Sequence, residues 1–386
     1  MNLLLSYFLY VIIIFIFLTL GYPLLLIIII QFKNNTWKLL KNYHPSITVI
    51  IPAYGNISIY DKIFNTIEQY PSNKIEIIVV YSDPSPEILK ELDYILKNDA
   101  IKIITEPNRT GKASAINIAL KDAKGEICII TDSDSVLEKR AIKYLVEGFA
   151  DDNVGLISGN LVYSGTLITD KVHKLIFNKY KGKLKIYESN LDSCSYAPGE
   201  LLAFRRDLIS NVPNVTLCDD YYILLKIRSQ NYRCVHEPRA IVYEKPPQTL
   251  SGKFKRTRRV TAGTIQEMKR FQYMFLNPKF GFFGLLIFPI YILRMLFIPF
   301  IMLYLIINLS LFFRSFFLQY IIIFGIILII LSFKQVSKKL DPFLYGPVLI
   351  LGILMGLIDW IKGDLTPVWE ECKTNDDSLK KNLPVK

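Results

Sequence analysis

The sequence predicts an α/β protein: a nucleotide-binding domain on a mostly parallel sheet, flanked by N- and C-terminal transmembrane helices. Three observations predict it. Between residues 47 and 131, four apolar runs at 47–51, 75–80, 101–105 and 127–131 alternate with stretches of helical spacing at 59–70, 86–97 and 111–123. Strands alternating with helices of that length form right-handed βαβ units whose sheet is covered on both faces. Residues 1–32 contain no Asp, Glu, Lys or Arg, and long apolar runs return after residue 280. About 20 apolar helical residues suffice to cross a bilayer.

In chain order, residues 1–32 lack the charged start, short apolar core and small-residue cleavage site of a signal peptide, so they read as an uncleaved anchor. Lys33, Lys38 and Lys41 follow, with Trp37 among them, and the positive-inside rule then puts the next domain, 33–279, in the cytoplasm. In an open parallel sheet the ligand crevice lies off the carboxyl ends of the strands. Four features gather there: Pro52-Ala53-Tyr54, Ser82-Asp83, residues 109–112, and the pair Asp132 and Asp134. Further on, 154–160 reads as a strand, 170–188 as a long basic helix, 219–227 as a helix whose acidic start suits its dipole, and 235–243 as extended chain.

From residue 280 to 362 the sequence predicts an apolar interfacial segment at 280–293, interrupted by Arg294, then spans at 295–313, 315–333 and 343–361. The basic loop with Lys334, Lys338 and Lys339 belongs inside, so the expectation is a multi-pass protein of the cell membrane. Parity puts the polar tail, 363–386, outside. The net charge of +12 lies largely in clusters beside the membrane, which suits anionic lipid as a partner and not nucleic acid. Five cysteines form no Cys-x-x-Cys pair, which fits reduced thiols, and the three histidines offer no ligand pair.

Each motif has a plain reading beside the functional one. Asp132-Ser133-Asp134 ends an apolar strand; Asp and Ser form turns, but two carboxylates at a crevice also suit a hard cation, Mg²⁺ or Mn²⁺. Asp83 can cap the following helix or accept from a nucleobase or ribose. Gly111-Lys112 opens a helix and can meet phosphate, yet Glu106 and Ala113 exclude a Walker A loop. Asp219-Asp220 can cap a helix, or one of them can act as a general base near Ala197-Pro198-Gly199-Glu200. Arg256, Arg258 and Arg259 either face lipid or clamp a diphosphate with planar guanidinium forks.

In this order the motifs resemble the membrane-embedded family 2 glycosyltransferases, the group of cellulose, chitin and hyaluronan synthases and many lipid-linked sugar transferases. The resemblance runs from residue 47 to Trp369 and implies a GT-A, Rossmann-like fold. Pro52, Ala53 and Tyr54 match the first block, although Gly55 and Asn56 replace its Asn-Glu. Asp83, with Ser85 and Glu87, matches the block that holds uracil and ribose; Arg109-x-Gly111-Lys112-Ala113 and Asn117 match the block near the phosphates. Asp132 and Asp134 match the metal-binding Asp-x-Asp, with Asp132 nearer the donor ribose, and Asp219-Asp220 stands where the family has its catalytic base, Asp220. Anchored on Gly263 and Gln266, the last block, Gln-x-x-Arg-Trp, puts Arg256 at the Gln, Arg259 at the Arg and Val260 at the Trp that borders the acceptor in processive synthases.

The implied activity is inverting transfer from a nucleoside-diphosphate sugar, UDP-sugar first, to a lipid-linked or saccharide acceptor, leaving a β-linkage. A polyprenyl-phosphate sugar synthase is the alternative enzyme, and a transporter or scaffold with a degenerate nucleotide fold is the reading from another class.

Overall fold

The computed structural model describes residues 2–33, 35–55, 58–95, 98–164, 180–247, 249–312, 325 and 341–364. Its centre is an eight-stranded sheet made of β1 (Ile47–Tyr54), β2 (Ile75–Ser82), β3 (Ile101–Glu106), β4 (Ile127–Thr131), β5 (Val136–Leu137), β6 (Val154–Tyr163), β7 (Leu201–Arg205) and β8 (Arg233–Glu244). The spatial order is β3-β2-β1-β4-β7-β6-β8-β5.

The first half follows the apolar pattern closely. β1 is parallel to β2 and β4, and β2 is parallel to β3. The crossovers are α3 (Tyr60–Ile67), α4 (Pro86–Ile95) and α5 (Lys112–Asp122). Alternate strand residues feed two cores. Ile50, Ile78, Ile130 and Phe204 pack with Ile116 and Ala119 of α5, and Val49, Ile51, Val79 and Ile129 pack with Ile63 of α3. Cys128 lies fully buried in the first of these. Chain order reverses at β1, which has β2 on one side and β4 on the other. That switch point opens a crevice at the carboxyl ends of the strands.

The second half is mixed. β7 runs antiparallel between β4 and β6, while β8 lies parallel to β6 and antiparallel to β5. Leu201 to Phe204 is fully apolar and buried, but five residues behind a buried loop give too short a period to announce a strand. Beyond the sheet come α6 (Ala141–Glu147), α7 (Gly182–Leu191), α8 (Asp219–Ser229) and α9 (Leu250–Arg270). The early part of the expected helix at 170–188 lies outside the described residues.

α1 (Asn2–Ile16), a π turn and α2 (Tyr22–Phe32) form one apolar helical stretch, of which Ser6–Phe32 is long and apolar enough to cross a membrane. The same holds for Phe283–Leu305. Here the expected break at Arg294 does not occur: α10 (Phe288–Phe312) runs straight through it. Pro289 follows just after the π turn Phe283–Ile287, and Pro299 lies inside the helix. Arg294 is accommodated by donating from Nη2 to the Tyr180 hydroxyl at 2.9 Å and by lying 5.6 Å from the ring centre of Tyr22.

The last described element, α11 (Asp341–Lys362), packs along α9. Gly352 and Gly356 make the approach possible: a Cβ on Gly356 would stand 2.4 Å from the Arg258 carbonyl oxygen. Arg258 and Asp359 form a two-pronged ion pair, one prong 2.7 Å long, which ties the two helices. The expected span at 315–333, the basic loop and the tail from 365 lie outside the described residues.

Candidate active site

The four parallel strands deliver one row of groups to the crevice. Register pairs Tyr54 with Ser82 and Ser82 with Glu106, so the ends of β1, β2 and β3 are level. Pro52 and Ala53 are paired with Val80 and Tyr81 within the sheet and contribute backbone rather than side chains to this edge. Gly55 turns the chain at a φ of +72°, where a side chain would be strained. The Arg109 guanidinium lies 3.9 Å from the ring centre of Tyr54. Asp83 has a φ of +52°, its N–H donating to the Glu106 carbonyl at 2.9 Å, and its residue is exposed. Ser85, not Asp83, accepts from the first turn of α4, through Ile88 N at 3.4 Å.

The end of β4 meets the starts of α5 and α8. Lys112 Nζ donates to Asp132 Oδ1 at 2.6 Å and to the Gly199 carbonyl at 3.4 Å, and stands 3.7 Å from Asp219 Oδ2. Burial opposes the charge on Lys112, but Asp132 and then Asp219 outweigh it and raise its proton affinity. Asp219 and Asp220 begin α8 without capping it, since the N-cap is Cys218 and no side chain caps the helix. Asp220 Oδ2 lies close to Gly199, where an added Cβ would sit 3.2 Å from that oxygen and 3.2 Å from Lys112 Nζ. Burial, followed by the Asp219 charge, lifts Asp220 to about 7 against the pull of Lys112. A carboxylate held near neutrality can take a proton and give it up under physiological conditions.

A narrow cleft leads away from Lys112, lined by Gly111, Asn214, Thr216, Leu217, Asp219 and Arg259. Arg259, which donates from Nη1 to the Leu217 carbonyl at 3.3 Å, faces Lys112 across it. The helix bearing Arg259 is locked to this wall. Gln266 bonds Leu217 N at 3.2 Å and the Val215 carbonyl at 3.0 Å, and a Cβ on Gly263 would come 2.6 Å from Cys218 Sγ.

Two expected phosphate-side residues are engaged elsewhere. Arg256 bridges Glu200 at 2.8 Å and Glu244 at 3.0 Å. Asn117 binds the Val212 backbone through its carbonyl at 2.7 Å and its amide at 2.6 Å, so it pins the loop that leads to the cleft.

Asp134 is an exposed residue, yet the groups packed about its carboxyl, and then Asp132, raise it above the usual carboxylate range. The turn between β4 and β5 rests on a buried cation absent from the sequence reading. Lys62 Nζ of α3 donates to Thr131 Oγ1 at 2.9 Å, to the Ser135 carbonyl at 2.7 Å and to Ser135 Oγ at 2.9 Å, bracketing the Asp-x-Asp from both ends. Burial lowers Lys62 to about 7, against the upward pull of Asp132 and Asp134. Its signal was a lysine on the face that also carries Ile59, Ile63 and Thr66.

No third Asp, Glu, His or Cys joins Asp132 and Asp134 as a metal cluster among the described residues. Two adjacent carboxylates, one of them destabilised as an anion, fit an ion that uses few protein ligands and completes its shell with phosphate and water.

The family described as Glycosyl transferase family 2 matches residues 48–212. Poly-beta-1,6-N-acetyl-D-glucosamine synthase of Staphylococcus aureus is 25% identical over 254 residues, which is 64% of this chain and 60% of that one. The protein named "Probable glycosyltransferase YdaM" of Bacillus subtilis is 26% identical over 269 residues, 64% and 62% of the two chains. The match thus spans about three-fifths of the length of these relatives. Among solved structures, the mannosyltransferase PcManGT of Pyrobaculum calidifontis, in complex with GDP-Man and Mn²⁺, superposes with a TM-score of 0.68 at 22% identity, covering 91% of this chain and 98% of that one. The sheet order, the crevice at its switch point and the superposition agree on a GT-A fold, and within it residues 48–212 match the Glycosyl transferase family 2 domain.

Proposed function

We propose that the protein is a membrane-bound, inverting glycosyltransferase that takes a sugar from a nucleoside-diphosphate donor, a UDP-sugar first, and passes it to a lipid-linked or saccharide acceptor. The observation that carries this reading is the meeting of Asp220, Lys112 and Gly199 at the head of the cleft closed by Arg259.

Tyr54 and Asp83 receive the nucleoside, with the Arg109 guanidinium over the Tyr54 ring. Lys112 and Arg259, on facing walls, hold the diphosphate and take up the charge that grows on it as it leaves. Arg256 acts one step further out, by neutralising Glu200 and Glu244 so that the crevice is less hostile to an anion. Asp132 and Asp134 would hold Mg²⁺ or Mn²⁺, which when bound supplies positive charge beside the leaving diphosphate. The Mn²⁺ held by the Pyrobaculum enzyme supports this assignment.

Asp220 takes the proton of the acceptor hydroxyl as its oxygen bonds to the anomeric carbon. The bond from that carbon to the diphosphate oxygen breaks in the same step. One displacement inverts the centre, so an α-linked donor yields a β-linked product. Asp219, with Oδ2 buried and 3.7 Å from Lys112, keeps the proton affinity of Asp220 high.

In this proposal domain 33–279 lies on the cytoplasmic side. Two described helices of sufficient length and apolarity, and the lysines after the first, support a membrane location. The test is turnover of a panel of nucleotide sugars by the purified chain in detergent, with and without Mg²⁺ or Mn²⁺. Metal-dependent transfer to lipid or saccharide is expected, and no turnover of any donor under either condition would sink the proposal.

A further inference from the structure

A second group of cations lies on the far side of Asp220, and the mechanism above does not use it. Lys185 of α7 is 3% exposed. Its Nζ sits 5.1 Å from the ring centre of Tyr196, and Lys181 Nζ lies 5.6 Å from the same ring. Lys181 also senses the positive charge of Arg294.

Glu188 and Glu200 act on Lys185 through space without forming an ion pair with it. Among the described residues, no carboxylate comes within ion-pair reach of Lys185 or Arg294, and Arg294 Nε is buried without a hydrogen-bond acceptor. The acid beside them, Glu188, is already engaged: its carboxyl accepts from Tyr22 OH at 3.0 Å and Ser195 N at 2.8 Å, and burial raises its proton affinity. Glu200 is taken by Arg256. From β8, His236 also bears on Lys185. Burial, then Lys185 itself, keeps that imidazole neutral, and its Nε2 lacks a partner among the described residues. Burying a charged group without an ion-pair partner is costly, so one such as Lys185 is kept where an anion arrives to meet it.

The surroundings say which anion. Tyr196 stacks on Tyr291 at 6.0 Å, and Tyr291 is 5.7 Å from Tyr221, the neighbour of Asp220. In the other direction Arg294 reaches Tyr180, whose hydroxyl donates to the Thr19 carbonyl in the apolar N-terminal stretch. A continuous line of aromatic and cationic groups therefore runs from the base to a helix long enough to cross a membrane. Tyrosine faces suit sugar rings, cations suit phosphate, and the apolar helices suit an acyl or prenyl chain.

We propose that Lys185, Lys181 and Arg294 bind the phosphate of a lipid-phosphate-linked acceptor, whose hydroxyl is thereby presented to Asp220 past Tyr196 and Tyr291. This rests on the glycosyltransferase reading for the role of Asp220, but the anion site is testable without any turnover. The same phosphate chemistry could come from a bulk headgroup, and the experiment separates the two sources.

The full chain is placed in phosphatidylcholine nanodiscs and its unfolding temperature followed by tryptophan fluorescence. Polyprenyl phosphate at a few mole per cent should raise it by about 2 °C or more, because a ligand bound to the native state stabilises it. Polyprenol, lacking the phosphate, should not. Lys185→Met should unfold at a temperature no lower than the parent, since it removes a buried unpaired charge, and should lose the lipid shift. Lys185→Arg should retain it. If Lys185→Met does not fold, Arg294→Gln gives the same reading. Equal shifts from polyprenol, full replacement of the effect by phosphatidylglycerol at the same mole fraction, or an intact shift in both Lys185→Met and Arg294→Gln would each overturn the proposal. A nucleotide sugar with Mg²⁺ is run in parallel: its failure to stabilise the parent would strike the donor reading and leave the lipid result standing.

Discussion

The two sides of Asp220 are built on opposite electrostatic plans. Toward the donor, Lys112 is held by Asp132 and Asp219, Arg256 by Glu200 and Glu244, and Lys62 by three oxygens around the Asp-x-Asp turn. Toward the membrane, Lys185 and Arg294 have aromatic faces and one hydroxyl. Paired charges hold a pocket in shape before its ligand comes. Unpaired ones hold a deficit that only the ligand removes. Under the proposed function, the donor half is preorganised by the protein and the acceptor half is completed by its substrate.

The largest effect that would sharpen this division is at the boundary itself. Asp220→Asn keeps the shape and hydrogen bonding of the side chain but cannot accept a proton, so kcat should fall by about 10²- to 10⁴-fold while donor affinity stays unchanged. Rapid-quench kinetics together with nucleotide-sugar binding by calorimetry would check it. Near-parental kcat would break the assignment of the base.

Next comes the packing that holds Arg259. α9 is fixed on one side by Gln266 and Gly263, and on the other by α11, through Gly352, Gly356 and the Arg258–Asp359 pair. Gly356→Leu would drive a side chain into the Arg258 backbone, and overpacking of this kind costs about 1–3 kcal/mol. The expected outcome is a lower unfolding temperature with a raised KM for donor, since the Arg259 wall moves. A variant with parental KM for donor and parental stability would show that α11 is not part of the catalytic unit.

The pH dependence should follow the base. With Asp220 lifted to about 7 by burial and by Asp219, its working form is the carboxylate, which is lost as pH falls through that value. The expected profile of kcat/KM is level above neutrality and falls about tenfold per pH unit on the acid side. Asp219→Asn removes the largest neighbouring negative charge and should move the acid limb to lower pH. An unmoved limb would mean that another group titrates.

How far the sequence announced all this differs between the same two halves. β1 to β4 were legible because continuous apolar runs punctuated by Pro52, Asp83, Gly111 and Asp132 can hardly be anything but covered parallel strands ending at a crevice. The crevice groups came with them, since a strand end fixes where the next residue stands. β5 and β7 were illegible: two and five residues carry no period, and their partners are set by chain far away in sequence. The break expected at Arg294 failed for a related reason, because the Tyr180 hydroxyl and the Tyr22 ring that it contacts lie in other segments. Lys62 and Arg256 show the limit on side chains. Charge and spacing alone do not reveal that one lysine supports a turn, or that an arginine set in a diphosphate motif is tied to Glu200 and Glu244.

The smallest effect is also the sharpest test of the comparison, because it asks for a difference in sign. Lys112→Met and Lys185→Met are the same change of side chain. At Lys112 the change leaves Asp132, Asp219 and Asp220 facing one another without their shared cation, a loss that for a fully buried pair would be several kcal/mol. The groups retain some contact with water, with side chains 19% and 29% exposed for Lys112 and Asp132, so screening reduces the expected destabilisation to about 1 kcal/mol. At Lys185 the change removes a buried cation that forms no ion pair among the described residues and fills its place with an apolar chain of like length, so stability should hold or rise. Measured side by side in ligand-free protein at neutral pH, the two unfolding temperatures should move apart, Lys112→Met downward and Lys185→Met level or upward. A fall of equal size in both would mean that the membrane-side lysine has a protein counter-ion after all, and the distinction between a preorganised donor half and a substrate-completed acceptor half would go with it.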